Sequence, residues 1–217
     1  METENQTRFV IKICGITNPE DGVTAAAAGA TAIGFNFYER SPRFLKPEAA
    51  SEIAALLPSP VLRAGIFVNS EWAYILQVAS QVPLDVVQVH GALRGEDSSA
   101  NIRLWKAIAV DHRFNPKALT ESRVEAYLLD TPTAAFGGSG QTFDWSRITG
   151  TSARFLLAGG LDASNVAAAI AGTKPWGVDA CSRLESRPGK KDSDKVRAFV
   201  TAACEAFEAA STESAVR

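Results

Sequence analysis

Eight short, nearly continuous apolar runs alternate along this 217-residue chain with Ala-rich stretches, and that alternation leaves few folds open. Residues 9–13, 32–37, 61–68, 84–89, 104–109, 124–129, 155–158 and 176–180 read as strands buried on both faces. That is the pattern of a parallel sheet covered by helices. Helical runs fall at 20–28, 47–57, 71–80, 163–171 and 193–208, with poorer helical patterns after the fourth, fifth and sixth strands. Thr17-Asn18-Pro19-Glu20, Lys46-Pro47-Glu48 and Asp162-Ala163-Ser164-Asn165 signal helix starts, and Gly29 a left-handed helix end.

Eight strand–helix units in this length take roughly 27 residues each, tight but sufficient for a closed barrel. An open doubly wound sheet is the rival architecture. No linker or shift in composition divides the chain. The expectation is one α/β domain, a (β/α)8 TIM barrel over residues 9–208, with a polar tail at 1–8 and a second, fraying one at 209–217.

Charge and composition exclude several classes of function. The 22 basic and 24 acidic residues give a net charge of −2, without the basic surplus of a nucleic-acid binder. No apolar run reaches the ~18 residues needed to cross a bilayer, and the polar N-terminus is not a signal peptide. Cys14, Cys181 and Cys204 are odd in number and far apart, against a disulfide framework or zinc site. His90 and His112 are too few for a His-rich metal centre. A cytoplasmic protein acting on a small molecule without a cofactor fits, as monomer or homodimer.

In such a barrel the chemistry gathers at the C-terminal strand ends. Cys14 closes the first strand, where it is either a small buried hydrophobe or a base or nucleophile. Asp130 ends the sixth, as a turn carboxylate or an acid with a raised pKa. Asp179 stands similarly on the eighth, with a structural role favoured. Gly137-Gly138-Ser139-Gly140, Gly159-Gly160 and Cys181-Ser182-Arg183 follow strands 6, 7 and 8 and suit an anion, since glycines let backbone N–H groups approach closely. Arg43, with Arg40 competing, can pair with a carboxylate beyond strand 2, and His90 can hydrogen-bond in the mouth.

The blocks Lys12-Ile-Cys-Gly-Ile-Thr17, Gly34-Phe-Asn-Phe-Tyr38, Ser41-Pro-Arg43, Gly65-Ile-Phe-Val-Asn69, Val87-Gln-Val-His-Gly91 and Leu128-Leu-Asp-Thr131 follow in order. After them come Gly137–Gly140 with Thr142-Phe-Asp-Trp145, Leu157-Ala-Gly-Gly160, Gly177-Val-Asp179 and Glu185-Ser-Arg-Pro-Gly-Lys-Lys-Asp192. Together they resemble the phosphoribosylanthranilate isomerases of tryptophan biosynthesis. The resemblance implies an Amadori rearrangement of N-(5-phosphoribosyl)anthranilate without metal or organic cofactor. It makes Cys14 the general base, Asp130 the general acid and Arg43 the partner of the anthranilate carboxylate, with the loops after strands 6–8 holding the phosphate. The similar histidine-pathway isomerase uses two aspartates, which Cys14 argues against. A non-catalytic barrel that binds phosphorylated metabolites needs neither Cys14 nor Asp130. The family's usual Asp-Val-Ser-Ser-Gly-Val-Glu loop is here Asp179-Ala-Cys-Ser-Arg-Leu-Glu185, and Gln141 stands where a Lys often follows the glycine loop. Arg183 in place of Gly raises the question of a strained φ or of a new charge near the phosphate.

Overall fold

The computed structural model describes residues 9–95, 102–132 and 140–215. Eight parallel strands close into a barrel in sequence order. They are β1 (Val10–Cys14), β2 (Ala32–Asn36), β3 (Leu62–Val68), β4 (Val86–His90), β5 (Arg103–Ala109), β6 (Val124–Asp130), β7 (Phe155–Leu157) and β8 (Gly177–Ala180). Closure comes from β1 pairing with β8, Lys12 opposite Asp179 and Ile13 opposite Ala180.

The near-continuous apolar runs divide by alternation. Ile11, Ile13, Ile33, Phe35 and Phe67 point outward into a core shared with the helices. Val10, Ala32, Ala64, Val86, Trp105 and Leu156 point inward and plug the barrel. The next inward residues along the strands form the polar upper layers of the interior.

Among the described residues, five helices pack outside: α1 (Pro19–Ala27), α2 (Pro47–Leu56), α3 (Trp72–Gln81), α4 (Val166–Thr173) and α5 (Ser193–Ala215). Asn18 caps α1 by accepting from the Asp21 N–H at 3.0 Å, with Pro19 at the first turn. Gly29, at φ +102°, reverses the chain after it. The connections with poor helical pattern hold short 3₁₀ turns at Pro116–Ala118 after β5 and Trp145–Ile148 after β6.

Two boundaries differ from expectation by more than two residues. Helix α4 starts at Val166, not 163, because Asp162–Asn165 folds into its own hydrogen-bonded turn, Asp162 N–H to Asn165 Oδ1 at 3.0 Å. Helix α5 continues past residue 208 to Ala215, so most of the expected tail is helical; Ser211 and Thr212 turn their hydroxyls back onto carbonyls of the same helix. The tail at 1–8 lies outside the described residues, as do Gly138 and Ser139 of the expected anion loop. Among the described residues no helix is long and apolar enough to cross a membrane.

Candidate active site

Period-two alternation carries Lys12 and Cys14 on β1, Gln88 and His90 on β4, Leu128 and Asp130 on β6, and Asp179 with Cys181 after β8 to the barrel interior. Their upper members surround a cavity of about 320 Å³ at the C-terminal mouth, completed by Asn36, Tyr38, Arg40 and Arg43 from the end of β2 and the loop after it. Gly34 makes room for the Cys14 sulfur: a Cβ there would lie 3.0 Å from Sγ. Asn36 shapes the loop, accepting from the Tyr38 N–H at 2.9 Å and donating to Ser41 Oγ, which in turn accepts from the Arg43 N–H.

Beneath the cavity lies a buried ion pair, Lys12 Nζ to Asp179 Oδ1 at 2.7 Å, with Lys12 0% exposed. Burial disfavours the ammonium, yet Asp179 and Cys14 outweigh it and raise the Lys12 pKa. Burial, reinforced by the Asp179 charge, pushes the Asp130 carboxyl up to about 7 despite the hydrogen bond it accepts from the Thr131 N–H at 2.7 Å. Burial and Lys12 push His90 down to about 4, so the imidazole is neutral, accepting from Gln88 Nε2 at 2.8 Å.

The two thiols at the mouth lie side by side, as the β1–β8 register sets them, and both are half-buried. The neighbouring Cys181 and burial push Cys14 up. The neighbouring Cys14, with Lys191 and Arg43 nearby, pulls Cys181 down. Lys191 Nζ lies 3.7 Å from Cys181 Sγ and 3.1 Å from Glu185 Oε1. A small hairpin, β9 (Glu185–Arg187) and β10 (Lys190–Lys191), delivers this lysine through a Pro188-Gly189 turn with Gly189 at φ +80°. The hairpin is fastened to α1 by Lys191 N–H to Asp21 Oδ2 at 2.8 Å and Lys190 Nζ to Asp21 Oδ1 at 2.7 Å.

A smaller pocket of about 40 Å³ adjoins the cavity, lined by Gly140, Gly159, Gly160, Ser182 and Arg183, while Asp130, Asp179 and Cys181 border both. Gly159 (φ +90°) and Gly160 (φ +60°) let the β7 loop close onto the β6 loop. Arg183 donates from Nε to the Gly140 carbonyl at 2.9 Å and from Nη1 to Asp162, tying the three loops together. It sits in a short 3₁₀ turn (Ser182–Leu184) and not at positive φ, so its Cβ brings no strain.

The fold therefore brings Cys14, Arg43, His90, Asp130, Gly140, Gly159, Gly160, Asp179, Cys181, Ser182 and Arg183 to one end of the barrel. One is engaged otherwise than the sequence suggests. Arg43 already holds Glu185 through Nε and Nη2 at 2.8 and 2.7 Å. Asp179, for which the sequence favours a structural role over substrate contact, is paired with Lys12. Sequence reasoning assigned nothing to Lys12, Gln88, Glu185 or Lys191. A lysine two residues before Cys14 inside an apolar strand was the available signal, since both must share a face. The Glu185–Lys191 meeting depends on the hairpin reversal.

The sequence profile described as N-(5′-phosphoribosyl)anthranilate (PRA) isomerase matches residues 11–202. The N-(5′-phosphoribosyl)anthranilate isomerase of Solibacter usitatus is 48% identical over 196 residues, covering 90% of this chain and 97% of that protein. The crystal structure of phosphoribosyl anthranilate isomerase from Thermotoga maritima aligns with a TM-score of 0.81 at 42% identity, covering 91% of this chain and 99% of that one. A phosphoribosyl anthranilate isomerase solved with reduced 1-(o-carboxyphenylamino)-1-deoxyribulose 5-phosphate aligns at 0.77 and 38% identity, with the same coverage. A closed barrel with a thiol and a raised-pKa carboxyl across one mouth, matched over nine-tenths of its length, belongs to the N-(5′-phosphoribosyl)anthranilate isomerase family.

Proposed function

We infer that Cys14 and Asp130 carry out the isomerisation after which the family is named, as base and acid on one sugar. The enzyme converts N-(5′-phosphoribosyl)anthranilate to 1-(2-carboxyphenylamino)-1-deoxyribulose 5-phosphate, a step of tryptophan biosynthesis. Asp130, kept protonated near neutrality by burial, donates its proton to the furanose ring oxygen as the C1′–O bond breaks, leaving an iminium. Cys14, as thiolate, removes the C2′ proton; those electrons form the C1′=C2′ bond of an enolamine, which tautomerises to the ketone. Both transfers use side chains alone, so the reaction calls on no metal or organic cofactor.

The observation that carries this reading is that Cys14 and Asp130, on β1 and β6, face one cavity while Asp130 also borders the glycine-lined pocket. A sugar can thus present its ring to both groups with its phosphate among Gly140, Gly159, Gly160 and Ser182, beside Arg183. Arg43 meets the anthranilate carboxylate through Nη1, the edge that Glu185 does not use. His90, neutral, contributes a wall and a ring N–H. Three free thiols support a reducing cytoplasm as the compartment.

Loss of fluorescence of freshly prepared phosphoribosylanthranilate measures the reaction. Cys14→Ala and Asp130→Asn should each lose at least ~10²-fold in kcat with KM little changed; wild-type turnover in either removes that residue from the mechanism.

A further inference from the structure

Cys181 is a second thiol at this mouth, and the acid–base scheme above does not use it. The β1–β8 register pairs Ile13 with Ala180, so one further step sets Cys14 beside Cys181, and alternation turns both side chains inward.

The charges packed around the two sulfurs allow one thiolate between them. Lys12 from β1, Arg43 from the loop after β2 and Lys191 from the hairpin are cations, engaged with the carboxylates Asp179 and Glu185. Three cations against two carboxylates leave one positive charge uncompensated; Arg40, the other cation lining the cavity, is exposed and screened by solvent. Below pH 7 Asp130 on β6 is protonated, His90 on β4 is neutral near neutrality, and Arg183 is matched by Asp162. A single thiolate closes the count, whereas two would set surplus negative charge beside the acid. The surplus cation lies on the Cys181 side, where Lys191 and Arg43 flank one carboxylate, while the Lys12 beside Cys14 is matched by Asp179. The resting charge therefore sits on Cys181 and the proton on Cys14, which is the wrong way round for Cys14 to act as base. Cys181 also borders the small glycine-lined pocket, and Cys14 does not. An anion there repels the charge on Cys181 and favours its mirror state.

We propose that Cys181 is a positioning residue for the base: the two thiols hold one proton and one negative charge between them, and a phosphate group in the glycine-lined pocket moves the charge to Cys14. The step balances. The Cys14 S–H bond breaks, its proton joins the Cys181 thiolate, and Cys14 becomes the thiolate that takes the C2′ proton. Once Asp130 has given up its proton and Cys14 has taken the C2′ proton, both sulfurs are thiols and the carboxylate supplies the charge that the thiolate supplied before.

The inference rests on Cys14 being the base, and the test separates the two. Reduced wild-type protein, Cys14→Ser and Cys181→Ser are titrated by thiolate absorbance and assayed for kcat across pH. Serine is close to cysteine in size and shape, so folding is preserved. Cys14→Ser should retain a thiolate that forms well below the ordinary cysteine range. Cys181→Ser should lose it and shift the acid limb of kcat upward by about one pH unit with KM little changed. In wild-type protein, saturating inorganic phosphate should raise the Cys14 share of iodoacetamide alkylation several-fold. A Cys181→Ser enzyme with the wild-type thiolate titration and kcat profile, or an alkylation pattern indifferent to phosphate, overturns the proposal. Full activity in Cys14→Ala would instead sink the assignment of the base.

Discussion

Lys12 Nζ lies 2.7 Å from Asp179 Oδ1 on the adjoining strand, and this buried pair forms the floor on which the acid stands. Its geometry is that of cross-strand partners in register, so it is as rigid as the barrel. Asp179 is also the charge that, after burial, does most to raise Asp130. Replacing Asp179 by Asn leaves a buried ammonium uncompensated and removes that charge, and both changes lower the Asp130 pKa. The alkaline limb of kcat should move to lower pH, with a loss of about tenfold at pH 8 relative to pH 6. Breaking the pair should also destabilise the fold by about 3–5 kcal/mol in urea titration. An unmoved alkaline limb would separate Asp179 from the acid.

Asp130 itself is stored at a cost to stability. Its folded pKa, about 7, stands above that of an unfolded aspartate, so the native state binds the proton more tightly. That stabilisation is complete below the unfolded pKa and is lost as pH rises through the folded one. Above pH 7 the wild type carries a buried carboxylate that Asp130→Asn lacks. The variant should be the more stable protein at pH 8, by on the order of 4 kcal/mol at most, while the difference shrinks toward pH 4. Thermal or urea unfolding of both proteins at the two pH values checks this, and equal pH slopes would refute it.

What could be read in the sequence follows from which relations are local. Cys14 and Asp130 stand where an apolar run stops, and strand ends need only a short window to recognise. Asn18 and Pro19 announce α1 within four residues, and their cap forms as expected. Lys12 was legible in principle, since alternation forces it onto the Cys14 face, but a lysine in a strand declares no partner until β8 closes against β1. The Arg43–Glu185 fork joins residues 142 positions apart and depends on a hairpin that brings Glu185 back over the mouth. No local pattern contains it. The same long-range closure turned Arg183 from a suspected backbone strain into a strap between loops.

That strap makes a separable prediction. Arg183 is bonded to the Gly140 carbonyl and to Asp162 at the edge of the small pocket, which Asp130 borders and Cys14 does not, and it bonds to neither. Arg183→Gly frees both partners and removes one cation from the phosphate end. The enzyme should stay active, with KM for phosphoribosylanthranilate raised about 3–10-fold and kcat within about a factor of two. Steady-state kinetics at two ionic strengths tests it, the KM difference narrowing as salt screens the charge. Complete inactivity would make Arg183 essential and not auxiliary.

Gly159 tests whether the acid's position is set from the neighbouring strand. At φ +90° it occupies backbone space that side chains rarely enter, and a Cβ there would lie 2.9 Å from the Thr131 nitrogen and 3.0 Å from Asp130 Oδ1, besides meeting Thr131 Oγ1. None of these atoms can retreat cheaply, because Thr131 N–H holds Asp130 and Thr131 Oγ1 holds the Gln141 carbonyl at 2.7 Å. Gly159→Ala must therefore shift the β6–β7 loops and with them the carboxyl. A misplacement approaching 1 Å typically lowers the rate by about 10²-fold. The expected outcome is a loss of that order in kcat, accompanied by a raised KM because the same loops border the phosphate pocket. Gly172→Ala, on a helix where an added Cβ meets nothing within 4 Å, serves as the control and should leave both constants unchanged. Wild-type kinetics in Gly159→Ala would mean that the acid is positioned by β6 alone.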